Sequence, residues 1–193
     1  MSRPKQFIEE IALQQALETF WQKGYASTSM SDLAESMNLR PGSIYATFGS
    51  KKELLLACID KYGCENFEKL KELLLAPTPK RETFCELFQK VSLESNEPAP
   101  RGCLLVNILL EVANLDQEIG NLAKSHLENT KNLFRDTLQQ AQTTGELSDG
   151  KSVESLAPFL MSTMFALRVM ARARASQQDL QATYENSLTH VFS

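Results

Sequence analysis

Residues 23–54 read KGYASTSMSDLAESMNLRPGSIYATFGSKKEL, and this stretch decides the fold. Thr28 and Ser29 both qualify as an N-cap for a short helix over Met30–Met37, and Ser29 with Asp32 forms a capping box that uses the shorter acid. Asn38 tolerates the left-handed conformation and can end that helix. Pro41 suits the first position of a second short helix running to Phe48. Ser50-Lys51-Lys52-Glu53 is a full capping box opening a longer helix. Two short helices with a brief connection fit a helix-turn-helix, whose second helix enters the major groove of DNA.

Upstream, Leu13, Ala16, Leu17 and Phe20 repeat at helical spacing, and Gly24 stops that first helix. Downstream, the fourth helix is expected from Lys51 to Ala76, with Gly63 as its weak point. Pro77 and Pro79, then Pro98 and Pro100, bracket a fifth helix over about 80–95. The sixth, 102–114, is apolar nearly all round and is expected to be central and buried. The seventh carries Ile119, Leu122, Phe134 and Leu138 on one face and stops near Gly145; the eighth carries Leu156, Leu160, Met164 and Leu167; the ninth carries Leu180, Tyr184 and Leu188. Strand alternation is lacking, so the expected fold class is all-α with about nine helices. The expected domains are a three-helix head over 1–55 that carries the helix-turn-helix and a larger helical part over 56–193.

The 193 residues carry a net charge of −4. The first 55 residues hold six basic and six acidic groups, so the whole deficit lies downstream. A globally basic coat for nucleic acid is excluded, but a local basic face is not. Cys58, Cys64, Cys85 and Cys103 form no C-x-x-C pair, as expected of a cytoplasmic chain with free thiols. No metal centre, no cofactor and no membrane segment is expected; the greasiest run, 102–110, is too short to span.

The candidate DNA-binding residues follow from chemistry. Thr28 and Ser29 put hydroxyls and free N–H groups at a helix start, a natural phosphate site. Arg40, Pro41, Gly42 and Ser43 open the next helix, and Gly42 lets a backbone come close. Tyr45 and Thr47 can offer hydroxyls to phosphates. Lys51 and Lys52 are cations in a helix's first turn, where they oppose the macrodipole by about 0.3–1 kcal/mol when exposed. A docked phosphate would reverse that sign.

These residues also resemble the N-terminal domain of the tetracycline repressor-like (TetR/AcrR) family of bacterial regulators. The resemblance rests on Gly24-Tyr25, Thr28-Ser29, Asp32-Leu33-Ala34, Gly42-Ser43, Ile44-Tyr45, Phe48 and Ser50-Lys51-Lys52-Glu53-Leu54. It implies phosphate contacts for Thr28, Tyr45, Thr47 and Lys51, and contacts to base edges or the groove around Arg40 to Ser43 and Ala46. Asn38 stands where the family usually has glycine, and Ala46 where it often has an aromatic residue or His, so base readout there is expected to reduce to a thymine methyl. Arg3 and Lys5 are candidates for further phosphate contacts. The resemblance also implies a homodimer through the last two helices, a pseudo-palindromic double-stranded operator and a small-molecule inducer that releases a repressor.

Candidates for the inducer site are Phe67, Phe88, Cys103, Asn107, His126, Phe134, Met164, Phe165 and Arg168, most of which also suit a plain core. Cys103 follows Arg101-Gly102 at a helix N-terminus, where a thiol pKa falls, so a thiol-based sensor of oxidants or electrophiles is an alternative to an inert buried cysteine. An enzyme is disfavoured: the chain has two His residues and none of G-x-G-x-x-G, a P-loop, H-E-x-x-H or G-x-S-x-G. A helical ligand-binding module without DNA would leave Lys51 and Lys52 unexplained.

Overall fold

A computed structural model describes residues 5–193. Its element order is α1 (Lys5–Lys23), α2 (Met30–Ser36), α3 (Pro41–Phe48), α4 (Lys51–Leu74), α5 (Lys80–Leu93), a 3₁₀ turn (Glu94–Asn96), α6 (Leu104–Glu111), α7 (Gln117–Thr143), α8 (Val153–Arg172) and α9 (Gln177–Phe192). No strand occurs among the described residues. The phosphate contact expected of Arg3 lies outside them, and of Lys5 only the backbone at the start of α1 is described.

The chain divides into two compact units. The first holds residues up to Glu65 together with Leu104–His126; the second holds Asn66–Cys103 and Leu127–Ser193. In the first unit α1 buries Ala16, Leu17 and Phe20, α2 buries Leu33, α3 buries Ile44, and α4 buries Leu54, Leu55 and Ile59. The Cys58 thiol, buried on α4, faces the Leu13 carbonyl of α1 at 3.8 Å. Burial pushes its pKa up, so this thiol is kept protonated and unreactive.

In the second unit Phe84 and Phe134 meet edge to face with ring centroids 5.2 Å apart, inside a core to which α5, α7, α8 and α9 all contribute. By length and composition α8 is apolar enough to cross a membrane, contrary to the expectation that no segment is. It is the core helix of this unit, however, burying Leu156, Leu160, Met164 and Leu167.

Two helices depart from expectation. α6 is shorter than 102–114 and is not enclosed: Leu104, Leu105 and Ile108 face inward, but Leu110 is 82% exposed and Leu115, beyond its end, 84%. An apolar sequence all round cannot bury every face of an eight-residue helix that packs on one side. α4 ends at Leu74 rather than Ala76, where the buried Lys80 ammonium donates to the Leu74 and Ala76 carbonyls.

Gly63 does not break α4. A methyl group there would come within 2.3 Å of the His126 ring of α7, so the glycine makes room for the imidazole. Gly63→Ala therefore gains up to about 1 kcal/mol of helix propensity but meets an overlap typically worth about 1–3 kcal/mol. Urea unfolding should show a net loss of about 1 kcal/mol, relieved in a His126→Ala background; a gain in stability would show that the ring has room to spare.

Candidate nucleic-acid interface

The turn between α1 and α2 is built from both directions. Gly24 adopts φ +82°, the left-handed conformation in which α1 ends. The Thr28 hydroxyl donates to the Gly24 carbonyl at 2.6 Å. Thr28 is 1% exposed, so it closes the turn from inside and does not present a hydroxyl to phosphate as expected. Ser29 is the N-cap of α2. Its hydroxyl accepts from the Asp32 amide at 3.1 Å, while the Asp32 carboxylate accepts from the Ser29 amide at 2.7 Å. The Lys23 ammonium, 2.6 Å from Asp32, together with the Ser29 hydroxyl and amide, which both donate to that carboxylate, holds the Asp32 carboxyl well below the usual carboxylate range.

Glu111, the last residue of α6, fixes the same turn. Its carboxylate accepts from the Tyr25 amide at 3.1 Å and from the Ala26 amide at 2.7 Å. On the other side the Lys51 ammonium donates to the Tyr25 carbonyl at 2.6 Å and lies 4.3 Å from the centre of the Tyr25 ring. Partial burial lowers the Lys51 pKa, opposed by the charges of Glu111 and Asp32. Lys51 thus has one of its three donors engaged within the chain. Lys52 departs further from expectation. It bonds Asp116 and Glu118, each at 2.8 Å, and these bonds raise its pKa. The anion that offsets the helix dipole at Lys52 is therefore supplied by the start of α7, not left for DNA.

α3 is presented differently. Arg40 is its N-cap without a side-chain bond, and Pro41 occupies its first turn. Asn38 takes φ +52° ahead of it, the left-handed stop that the sequence suggests. Ile44 alone is fully buried; Pro41, Gly42, Ser43, Tyr45, Ala46 and Thr47 are exposed, Tyr45 by 51%. A side chain built at Gly42 would meet nothing within 4 Å. No packing inside the chain therefore calls for glycine there. Ser50 and Glu53 form the expected capping box at the start of α4, with bonds of 2.6 and 3.1 Å.

The candidate inducer residues are divided between the two units. Phe88, Phe134 and Met164 are core residues of the second unit, and Phe67 and Phe165 are packed against that core. Cys103 is buried, while Asn107 and His126 belong to the first unit. Arg168 does line an open space, a groove of about 410 Å³ in the second unit with Leu70, Leu73, Leu87, Lys90, Val91 and Glu94. Arg168 Nε lies 3.8 Å from Glu94, whose pKa is raised by burial and lowered in part by the guanidinium. The sequence reading missed Glu111 as a cap and missed the convergence of Asp60, Cys64 and His126, whose ligand atoms all lie within 4.8 Å of one another.

Two family models cover most of the chain. Residues 12–58 match bacterial regulatory proteins of the tetR family, and residues 79–186 match the tetracyclin repressor-like C-terminal domain. The chain belongs to the TetR family. Among its relatives, the uncharacterized HTH-type transcriptional regulator YezE of Bacillus subtilis (strain 168) is 27% identical over 98% of both chains. The HTH-type transcriptional repressor ComR of Escherichia coli (strain K12) is 29% identical, over 92% of this chain and 86% of its own length. A cysteine mutant of the TetR family transcriptional regulator CifR, solved in complex with a 26 bp double-strand operator DNA, is 30% identical with a TM-score of 0.85, covering 98% of this chain and all of that one. The present chain is thus an all-α, DNA-binding transcriptional regulator and not an enzyme.

In this TetR-family regulator the Glu111 clamp has a direct readout. Glu111→Ala should speed amide hydrogen exchange at Tyr25 and Ala26 by at least about tenfold, matching about 1.4 kcal/mol of lost protection, with exchange in α5 and α9 unchanged. Unaltered exchange at both amides would remove Glu111 from the turn.

Proposed function

We propose that the chain is a cytoplasmic repressor that binds a pseudo-palindromic operator as a homodimer, laying α3 in the major groove, and that a small molecule releases it. The observation that carries this reading is the face of α3: six exposed residues around one buried isoleucine, with open space at Gly42. Gly42 lowers helix stability and serves no packing need within the chain, so its value is a close approach by something outside. The DNA-contacting residues in this reading are Ser29, Arg40, Pro41, Gly42, Ser43, Tyr45, Ala46 and Thr47, with Lys51 offering its remaining donors to a phosphate. Residues 1–55 form the reading head, and 56–193 serve effector binding and pairing.

An apolar stripe on α8 supports dimerisation. Phe159, Ala166 and Val169 recur at helical spacing and are exposed, with the Phe159 ring edge-on to His190 of α9 at 5.4 Å. A second copy on a two-fold axis would cover them and place two α3 helices in successive major grooves, about 34–36 Å apart.

The groove beside Arg168 is the effector site in this reading. Its leucine and valine walls suit a small apolar body, and the Arg168–Glu94 pair suits a polar end. A ligand that parts this pair acts on the 3₁₀ turn bearing Glu94. The chain runs from there through residues 97–103, where Arg174 donates to the Pro98 carbonyl at 2.6 Å, into α6 and so to Glu111. Release follows because the ligand favours one of two arrangements of the clamp over the other.

Gly42→Ala separates the reading role from a structural one. The substitution should leave the melting temperature unchanged or higher, while weakening operator binding about tenfold or more, as about 1.4 kcal/mol lost. Fluorescence anisotropy with a labelled promoter fragment reads this, and wild-type affinity should fall steeply with salt. Undiminished operator affinity in Gly42→Ala would take α3 out of the groove.

A further inference from the structure

Outside the operator face, the first unit gathers three metal-ligating side chains of different kinds. Asp60 and Cys64 sit one turn apart on α4 and so share a face. His126 approaches them from α7: its Nε2 is 3.1 Å from Asp60 Oδ1, and Cys64 Sγ is 3.9 Å from the same oxygen. The imidazole is 10% exposed, whereas the Asp60 carboxylate is 64% exposed and Cys64 lies at the surface. One ligand is therefore fixed by packing and two stand at a solvent rim from which an ion can enter.

Gly63 provides an independent indication. It lies between Asp60 and Cys64 on α4, and a Cβ there would overlap the His126 ring at 2.3 Å. A mid-helix glycine is unfavourable by up to about 1 kcal/mol, and here its effect is to seat an imidazole beside a thiol and a carboxylate.

We propose that Asp60, Cys64 and His126 form a binding site for one divalent d-block cation of the zinc type. Sulfur and imidazole nitrogen select such ions over magnesium and calcium, which take oxygen ligands. Three protein ligands with water in the fourth position form an open tetrahedral site. Bond lengths of about 2.0–2.3 Å in such a site place ligand atoms roughly 3.3–3.8 Å apart. The 4.8 Å limit observed must therefore close by about 1 Å, within reach of rotamer changes at the exposed Asp60 and Cys64. On binding, the Cys64 thiol gives its proton to buffer, and the thiolate and carboxylate together balance the dication. The ion would join α4 to α7 at a second point, beyond the bonds from Lys52 to Asp116 and Glu118. This site stands apart from the operator reading, and neither depends on the other.

The test is anaerobic titration of the reduced full-length chain with cobalt(II), followed by competition with zinc(II). One cobalt per chain should produce a thiolate-to-metal charge-transfer band and the visible absorption of a four-coordinate ion, both abolished by one equivalent of zinc. Cys64→Ser should lose the charge-transfer band, and Asp60→Asn should weaken binding by at least about tenfold. Cys85→Ser should keep the full spectrum, and circular dichroism should show each variant folded. Absence of the band at equimolar cobalt, or its survival in folded Cys64→Ser, would overturn the site.

Discussion

The operator-reading unit depends on one carboxylate. Glu111 gathers the Tyr25 and Ala26 amides in the turn between α1 and α2, backbone donors that belong to neither helix and need a partner from elsewhere. Hydrogen bonds to a charged group are typically worth about 1.5–3 kcal/mol, and two on adjacent amides fix the direction in which the chain leaves α1. Lys51 completes the clamp by taking the Tyr25 carbonyl, so an acid from α6 and a base from α4 hold opposite sides of one peptide segment. The orientation of α2, and through it of α3, follows from this turn.

The proposed release by a small molecule would run through this same clamp. α6 ends in Glu111 and begins directly after Cys103, at the end of a segment that Arg174 grips at Pro98. In the proposed reading, a ligand at Arg168 and Glu94 would act on Glu111 through the chain itself, along the short segment before α6 and its eight helical residues. Cys103 lies on this route but is 5% exposed, which suits packing at the start of α6 better than collision with an oxidant.

The local features of the head were legible in the sequence because each is decided within four residues. The Ser29–Asp32 and Ser50–Glu53 capping boxes, the left-handed Asn38 and Pro41 at the start of α3 all form as their residue types dictate. Pairings across long stretches of chain were not legible. Glu111 is 86 residues from Tyr25, and nothing local marks it as a cap. Lys52 reads as a free cation until α7 brings Asp116 and Glu118 beside it, and Thr28 reads as an exposed hydroxyl until the turn folds over it. Asp60 and Cys64 carry a visible spacing, but His126 joins them only through the seat at Gly63.

The central claim is that two α3 faces, held by paired chains, read successive major grooves. Hydroxyl-radical and methylation footprinting of the wild-type protein on its own promoter tests it directly. The account predicts two symmetric patches of major-groove protection with centres about one helical turn, 10–10.5 base pairs, apart or a small multiple of it. A single patch, or protection confined to the minor groove, would contradict it.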